Sequence, residues 1–299
     1  MNLTMLELRF IRETCLIVIN RSMNNLQEKQ LHIFQIFYEL CNENDIPIFL
    51  AFGSAIGALR HQGFIPWDDD LDVFIFANDR QKVIDLCLKH LPQTLFYQTP
   101  SSDCKYRLAI DRVRLNTSTL IEETEQDRDI NHGIFIDIYP LYRCSDSRFG
   151  YVAQYLTAYI YRSILYGRAS RKSSISKRFI QSFVDTVTPR FVKRLVLEKS
   201  FNFISNMDGT RYLSTFYGDE VNLRYPIEWF QENREVKFEN IQASVAKNVE
   251  ACLTMEYGNY MNLPPLHKQI PHHDYVFLDC FTSYSEYRGV QYMTEKKIV

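Results

Sequence analysis

Helical and strand-like hydrophobic periods take turns along the chain from residue 24 to residue 141. Leu26, Ile33, Phe34, Ile36, Phe37, Leu40 and Cys41 fall near helical spacing. They predict a helix from Asn24 to about Asn44, with Asn24 or Asn25 as its cap and one apolar face for packing on a sheet. Pro47–Phe52 is a short apolar run closed by Gly53 and predicts a buried strand. Ser54–His61 predicts a short helix that Ser54 can cap. Leu71–Phe76 predicts a second strand, and Asn78 caps a further helix to Leu91 with Val83, Ile84, Leu86, Leu88 and Leu91 on its apolar side. Thr94–Gln98 reads as a strand, and Tyr106–Leu115 with Thr117–Glu122 as a hairpin or two adjacent strands. Gly133–Leu141 is a near-continuous apolar strand carrying one carboxylate, Asp137. Residues 146 to about 207 read as helical, and residues 1–22 as strands or a short arm.

Composition narrows the class. The chain has 299 residues and a net charge of -2, so two lobes around one cleft are plausible and no whole-chain attraction to nucleic acid follows. Seven cysteines are scattered without a Cys-x-x-Cys pair, which fits buried free thiols in a reducing compartment. No apolar run approaches the roughly 20 residues that span a bilayer, and the N-terminal pattern is not that of a signal peptide. The expectation is a cytoplasmic protein.

The chemistry concentrates in residues 53–76. Asp68, Asp69, Asp70 and Asp72 lie within five positions, immediately before a buried strand. Strand alternation sends Asp70 and Asp72 to one side, with Leu71 and Val73 toward the core. Adjacent carboxylates at the edge of a core repel and lose solvation, a penalty that a hard divalent cation removes. A solvated acidic turn is the plainer reading. Gly53 and Ser54 alter the balance, because Gly admits close backbone approach and a helix N-terminus suits a phosphate. An EF-hand fails on spacing: counted from Asp68, Val73 takes the glycine position and Asp79 the bidentate glutamate position. Asp137 needs a cation or donors of its own, since a buried lone acid is costly.

Pro47–Gly53–Ser54 followed by Asp70-Leu71-Asp72-Val73 resembles the nucleotidyltransferase-fold signature. The longer run Ala58-Leu-Arg-His-Gln-Gly-Phe-Ile-Pro-Trp-Asp-Asp-Asp-Leu-Asp72 is similar to the hallmark of the LicD family, which includes bacterial phosphocholine transferases and is related to fukutin-type ribitol-phosphate transferases. Further likeness lies in Gly133–Leu141, in Tyr225–Phe230, in Val236–Asn240 and in Tyr257–Pro265. Asn240 stands where the family usually has Gly, and an Asp usual before Tyr260 is missing. The likeness covers about residues 30–140 and 222–273. It implies an α+β fold: a nucleotidyltransferase-like mixed sheet flanked by helices, with a catalytic core at 24–145, a helical basic insertion at 146–221 and a C-terminal part at 222–290 that completes the cleft.

The same resemblance implies Mg²⁺ (or Mn²⁺) on Asp70, Asp72 and Asp137, which are also the catalytic candidates. It implies a CDP-alcohol donor, CDP-choline first, and a cell-surface glycan acceptor or its lipid-linked precursor, in lipopolysaccharide, teichoic acid or capsule. Gly53, Ser54, Arg60, His61 and Arg112 are the candidates for the donor phosphates; for Arg60 and His61 the alternative is a helix C-terminal dipole contact, and for Arg112 a solvated strand face. Phe64 and Trp67 would wall the cleft. His132, His272 and His273 read as structural. The eukaryotic relatives are typically anchored in the secretory pathway, so the missing anchor points to a bacterial-type enzyme. A nucleotidyltransferase proper, and a non-catalytic binding protein of the same fold, are the competing readings. From Arg162 to Lys199 ten basic residues face two acids. With apolar positions from Phe179 to Val196, this suggests a peripheral contact with an anionic membrane, or simply a helix packed on the core with solvated charges.

Overall fold

The computed structural model describes residues 23–166, 189–217, 223–271 and 273–294. Its fold is α+β, a mixed sheet flanked by helices. Strands β1 (Ile48–Leu50), β2 (Asp72–Phe76), β3 (Leu95–Gln98), β4 (Asp111–Leu115) and β6 (Ile134–Cys144) lie in the order β1-β2-β6-β4-β3. β2 and β6 run parallel, while β1–β2, β4–β6 and β3–β4 are antiparallel. β6 outruns its neighbours, and its last residues pair with β7 (Tyr212–Ser214), which pairs with β8 (Tyr225–Pro226). β5 (Thr119–Glu122) pairs with β11 (Tyr275–Asp279), and β9 (Asn233–Phe238) with β10 (Ile241–Ala246) forms a hairpin.

Strand alternation divides the core into two faces. On one, α1 (Asn25–Asn42) packs Leu31, Phe34, Phe37 and Cys41 over Ile48, Leu50, Val73, Ile75, Ile136 and Ile138. On the other, Phe49, Phe74, Tyr139 and Leu141 meet α2 (Phe52–His61) at Phe52, together with Tyr225 and Phe230. The sequence-predicted helix is therefore present, and Asn24 caps it in a reciprocal box with Gln27. α3 (Arg80–His90) begins later than expected. A 3₁₀ turn at Ala77–Asp79 precedes it, so Asn78 is not its cap, and Leu88 is exposed. α4 (Arg148–Tyr166) and α5 (Arg190–Ser205) pack on one another and on the end of β6. α6 (Val249–Tyr257) lies against α2.

Other expectations change on contact with tertiary structure. β4 starts at Asp111, and Tyr106 lies before it, buried, its hydroxyl donating to Ile110 O. Phe64 does not wall a cleft; it is buried edge-on to Phe238. Arg112 and Arg114 do not form a solvated face, since both are buried. Five of the described cysteines are buried free thiols and Cys104 is exposed. Residues 1–22, His272 and the part of the basic segment holding Lys172, Lys177 and Arg178 lie outside the described residues.

Candidate active site

The acidic loop is held from two sides. Gln27 Nε2 donates to Ile65 O and Asp68 O, at 3.3 and 3.0 Å, and Gln30 Nε2 donates to Asp69 O at 2.8 Å. Both glutamines are buried at the start of α1, where periodicity alone would put polar residues in solvent. From the other side, the Asp72 N–H donates to Ser54 Oγ at 2.9 Å, and Asp72 O accepts from the Ala51 N–H. Ser54 is thus not the helix cap. That position is Ala51, without a side-chain bond, and Phe52 follows with φ of 45°. A bulky residue with such a φ is strained and persists where surroundings over-determine it; here its ring is fixed edge-on to Phe74 and Tyr139. A Cβ on Gly53 would lie 2.8 Å from Asp68 Oδ2, so glycine lets the acidic loop close on the first turn of α2.

The strands bring the remaining acids together. Asp72 on β2 and Asp137 on β6 are direct partners in the parallel register, and Arg112 on β4 is opposite Asp137 from the other side. All three are buried. Arg112 Nε donates to Asp137 Oδ1 at 2.6 Å, its Nη1 donates to Glu122, and its guanidinium lies 3.6 Å from the Phe135 ring centroid. Arg114 stacks on the same ring at 4.5 Å and reaches Glu125 at 3.3 Å. Burial works against the charge on Glu122, but Arg112 outweighs it and holds the carboxyl down at about 2. Burial and the Glu122 charge push Glu125 up to about 7.

Asp70 stands where the loop meets the C-terminal segment. His273 Nδ1 is 3.2 Å from Asp69 Oδ1 and 3.6 Å from Asp70 Oδ2, and the His273 N–H donates to Asp69 Oδ2 at 3.2 Å. Burial disfavours the imidazolium, yet the bond to Asp69 and the Asp70 charge push it up to about 10. Burial, then the neighbouring Asp70, pushes Asp68 up to about 9, and the two side chains share a hydrogen bond. Two carboxyls so placed retain a proton between them or take a cation. Asp69, Asp70 and His273 each offer a ligand atom, all within 4.8 Å of one another. Oxygen donors with one imidazole fit a divalent cation.

Among the residues anticipated from sequence, the structure gathers Gly53, Ser54, Asp70, Asp72 and Asp137. Arg112 is there too, with its guanidinium turned to Asp137 and Glu122. Arg60 and His61 sit at the far end of α2, about 10 Å along its axis from Gly53 at 1.5 Å per residue. Arg60 Nη1 donates to Tyr260 O at 2.6 Å and its Nε to His61 Nε2 at 3.0 Å, while His61 lies edge-on to Trp67. Arg60 thereby ties α2 to the segment after α6. Glu239 does the same for the loop: its N–H donates to Gln62 O and its Oε1 accepts from the Phe64 N–H, at 2.8 and 2.9 Å.

Asp69 belongs to the acidic cluster seen in the sequence, whereas His273, Gln27, Gln30, Glu122 and Glu125 carry no signal in local sequence as site residues. His273 arrives because β11 pairs with β5 and the Glu123 N–H donates to Asp274 O. Beside the loop is a cleft of about 600 Å³ lined by Trp67, Asp68, Asp69, Pro271, Tyr275 and Phe281, among others.

Comparison with known proteins agrees with this arrangement. Residues 45–155 match the LicD/FKTN/FKRP nucleotidyltransferase domain. The chain is similar to the lipopolysaccharide cholinephosphotransferase LicD of Haemophilus influenzae, 28% identical over 271 residues that cover 83% of this chain and 96% of that protein. It is also similar to an uncharacterized protein of Rickettsia prowazekii, 34% identical over 84 residues, 26% of this chain and 31% of the relative. A third relative, an uncharacterized protein of Rickettsia typhi, is 41% identical over 56 residues, 18% of each chain. The matched domain holds the Gly53 turn, the acidic loop and both acid-bearing strands, and the similarity to LicD runs far beyond it, over most of both chains.

Proposed function

We propose that the protein is a divalent-cation-dependent phosphotransferase that moves phosphocholine from CDP-choline to a lipopolysaccharide-type glycan or its lipid-linked precursor. The observation that carries this reading is the convergence of Asp68, Asp69, Asp70 and His273 beside the Asp72–Asp137 pair, in a chain that matches nearly the whole length of a cholinephosphotransferase. A polyol phosphate from CDP-glycerol or CDP-ribitol is the same chemistry with another alcohol.

In the reaction an acceptor hydroxyl attacks the phosphorus that bears the alcohol, the bond to CMP breaks, and CMP leaves. Mg²⁺ or Mn²⁺, when bound, supplies the positive charge that screens the donor diphosphate and offsets charge on the departing CMP. Asp70, Asp72 and Asp137 would hold it; Asp69 and His273 offer further ligand atoms beside Asp70. Arg112 keeps Asp137 oriented through its Nε–H. The first-turn amides of α2 at Gly53 and Ser54 face the phosphates. Glu239 and the two buried glutamines keep the loop backbone in place before substrate arrives, which lowers the cost of ordering it on binding.

The test is a donor panel of CDP-choline, CDP-glycerol and CDP-ribitol with a lipopolysaccharide acceptor, with Mg²⁺, Mn²⁺ or chelator, scored for CMP and for pyrophosphate. CMP release that needs the cation and prefers CDP-choline is expected. Pyrophosphate from a nucleoside triphosphate and phosphocholine, without CMP, would establish a nucleotidyltransferase instead.

A further inference from the structure

α4 has two unlike faces. Tyr151, Gln154, Tyr155, Ala158 and Tyr161 turn inward, onto the end of β6 and onto α5. The outward face carries Phe149, Val152, Leu156, Tyr159 and Ile160, all exposed, with Phe149 86% exposed. Their spacing of three and four residues makes one continuous stripe along the helix. On the adjoining helix Phe191 is 72% and Leu195 52% exposed, while Ser200 and Ile204 are buried. Scattered exposed apolar residues are ordinary on a protein surface, but a stripe along one helix, with further exposed apolar residues on the helix packed against it, marks a surface that meets something apolar.

Charge says what that something is. The two helices together carry six basic residues, Arg148, Arg162, Arg190, Lys193, Arg194 and Lys199, against one acid, Glu198, in a chain whose net charge is -2. An apolar stripe with exposed cations such as Arg148, Arg194 and Lys199 on the same helices fits an anionic lipid surface, where the apolar side chains enter the interface and the basic groups stay with the headgroups. No helix among the described residues is long and apolar enough to cross a membrane, so the contact lies in the plane of the interface. α4 also leads to the site. Its last residue, Tyr166, is hydrogen-bonded to Tyr217, whose ring packs 5.2 Å from that of Tyr139, two positions beyond Asp137 on β6.

We propose that the outer face of α4 and α5, with Phe149, Leu156, Ile160, Phe191 and Leu195 flanked by Arg194 and Lys199, is a docking surface for an anionic lipid bilayer. The donor chemistry proposed above is not needed for this contact, and vesicle binding is read without turnover.

The experiment is co-sedimentation of the purified full chain with phosphatidylcholine vesicles, with and without phosphatidylglycerol, at low and high salt. Light scattering of the free protein runs in parallel. The wild type is expected to bind the anionic vesicles and to be released by salt, because exposed charges are screened within about 8 Å at physiological ionic strength. Arg194→Gln with Lys199→Gln should weaken binding roughly 30-fold, two headgroup attractions lost. Phe149→Glu with Leu156→Glu should weaken it on the order of 100-fold or more, with an unchanged circular dichroism spectrum since both residues are exposed. The proposal is overturned if the wild type ignores anionic vesicles at low salt, if it binds neutral vesicles equally well, or if the glutamate variant binds like the wild type. A wild type that is dimeric and bypasses vesicles, with a monomeric glutamate variant, would make the face a contact between copies of this chain.

Discussion

Replacing Arg112 separates two roles for that side chain. As a phosphate contact, it would leave stability alone when changed and would raise the donor KM. The structure instead puts it between Asp137 and Glu122, 2% exposed, with Nε 2.6 Å from Asp137 Oδ1 and its face on Phe135. Removing the cation from a buried ion pair leaves an uncompensated carboxylate, a loss of roughly 3–5 kcal/mol. Two carboxylates lose their partner here, but the Arg114 charge still favours ionised Glu122, so Arg112→Met should cost about 3–4 kcal/mol. That is a large part of a typical domain stability of ~5–15 kcal/mol. Arg112→Lys keeps the charge but lacks the planar fork that spans both acids, and should cost about 1–3 kcal/mol. The assay is urea unfolding at neutral pH followed by tryptophan fluorescence. A cycle with Asp137→Asn should return a coupling of about 1–3 kcal/mol. The acid side adds a check of sign. Glu122 is held down at about 2 from an ordinary 4.5, so its contribution is complete above about 4.5 and is lost as pH falls toward 2; without Arg112 that acid loss should flatten. Arg112→Lys and Arg112→Met with wild-type urea midpoints would refute the positioning role.

Two further outcomes follow from the same geometry. Asp70→Asn or Asp72→Asn should lower turnover at least about 100-fold, the scale of losing a main electrostatic stabiliser, with a urea midpoint near or above wild type because like charges are thinned out; retained CMP release by purified Asp72→Asn would remove it from the chemistry. His132 is buried against Tyr292, its Nε2 paired with Arg128 O at 3.0 Å, and burial pushes it down to about 4 from 6.5. The unfolded chain therefore takes the proton first, and stability falls by about 3 kcal/mol as pH drops from 6.5 to 4; in His132→Gln this part of the pH dependence should vanish, which urea midpoints from pH 7 to pH 4.5 would show.

Much of the site was legible in local sequence, and for a local reason. Side-chain alternation on a strand and the amides of a helix start are properties of neighbouring residues, so the Gly53 turn, the acidic loop and the strand carrying Asp137 stand out without a fold. So does α1, because its period of apolar residues is a local pattern that Asn24 and Gln27 close with their own side chains. The same locality explains two errors. Ser54 satisfies the rule for a cap, yet its hydroxyl receives the Asp72 N–H across 18 residues. Asn78 is as good a cap by composition, yet a 3₁₀ turn intervenes.

What tertiary structure alone decided is which distant groups share a charge. Arg112 looks the same in sequence whether it meets a phosphate or a carboxylate; the antiparallel register of β4 on β6 sets it opposite Asp137. His273 has no neighbour in sequence that marks it, and only the pairing of β11 with β5 carries it to Asp69 and Asp70. Gln27 and Gln30 are ordinary helix polar residues until the acidic loop packs over them and its carbonyls need donors. The sequence by itself determined the carboxylate cluster and the elements that bear it, because propensity and hydrophobic period act over a few residues. The pairing of buried charges was decided by the fold, because Coulomb and desolvation energies depend on distance and burial through space, which neighbours along the chain do not set.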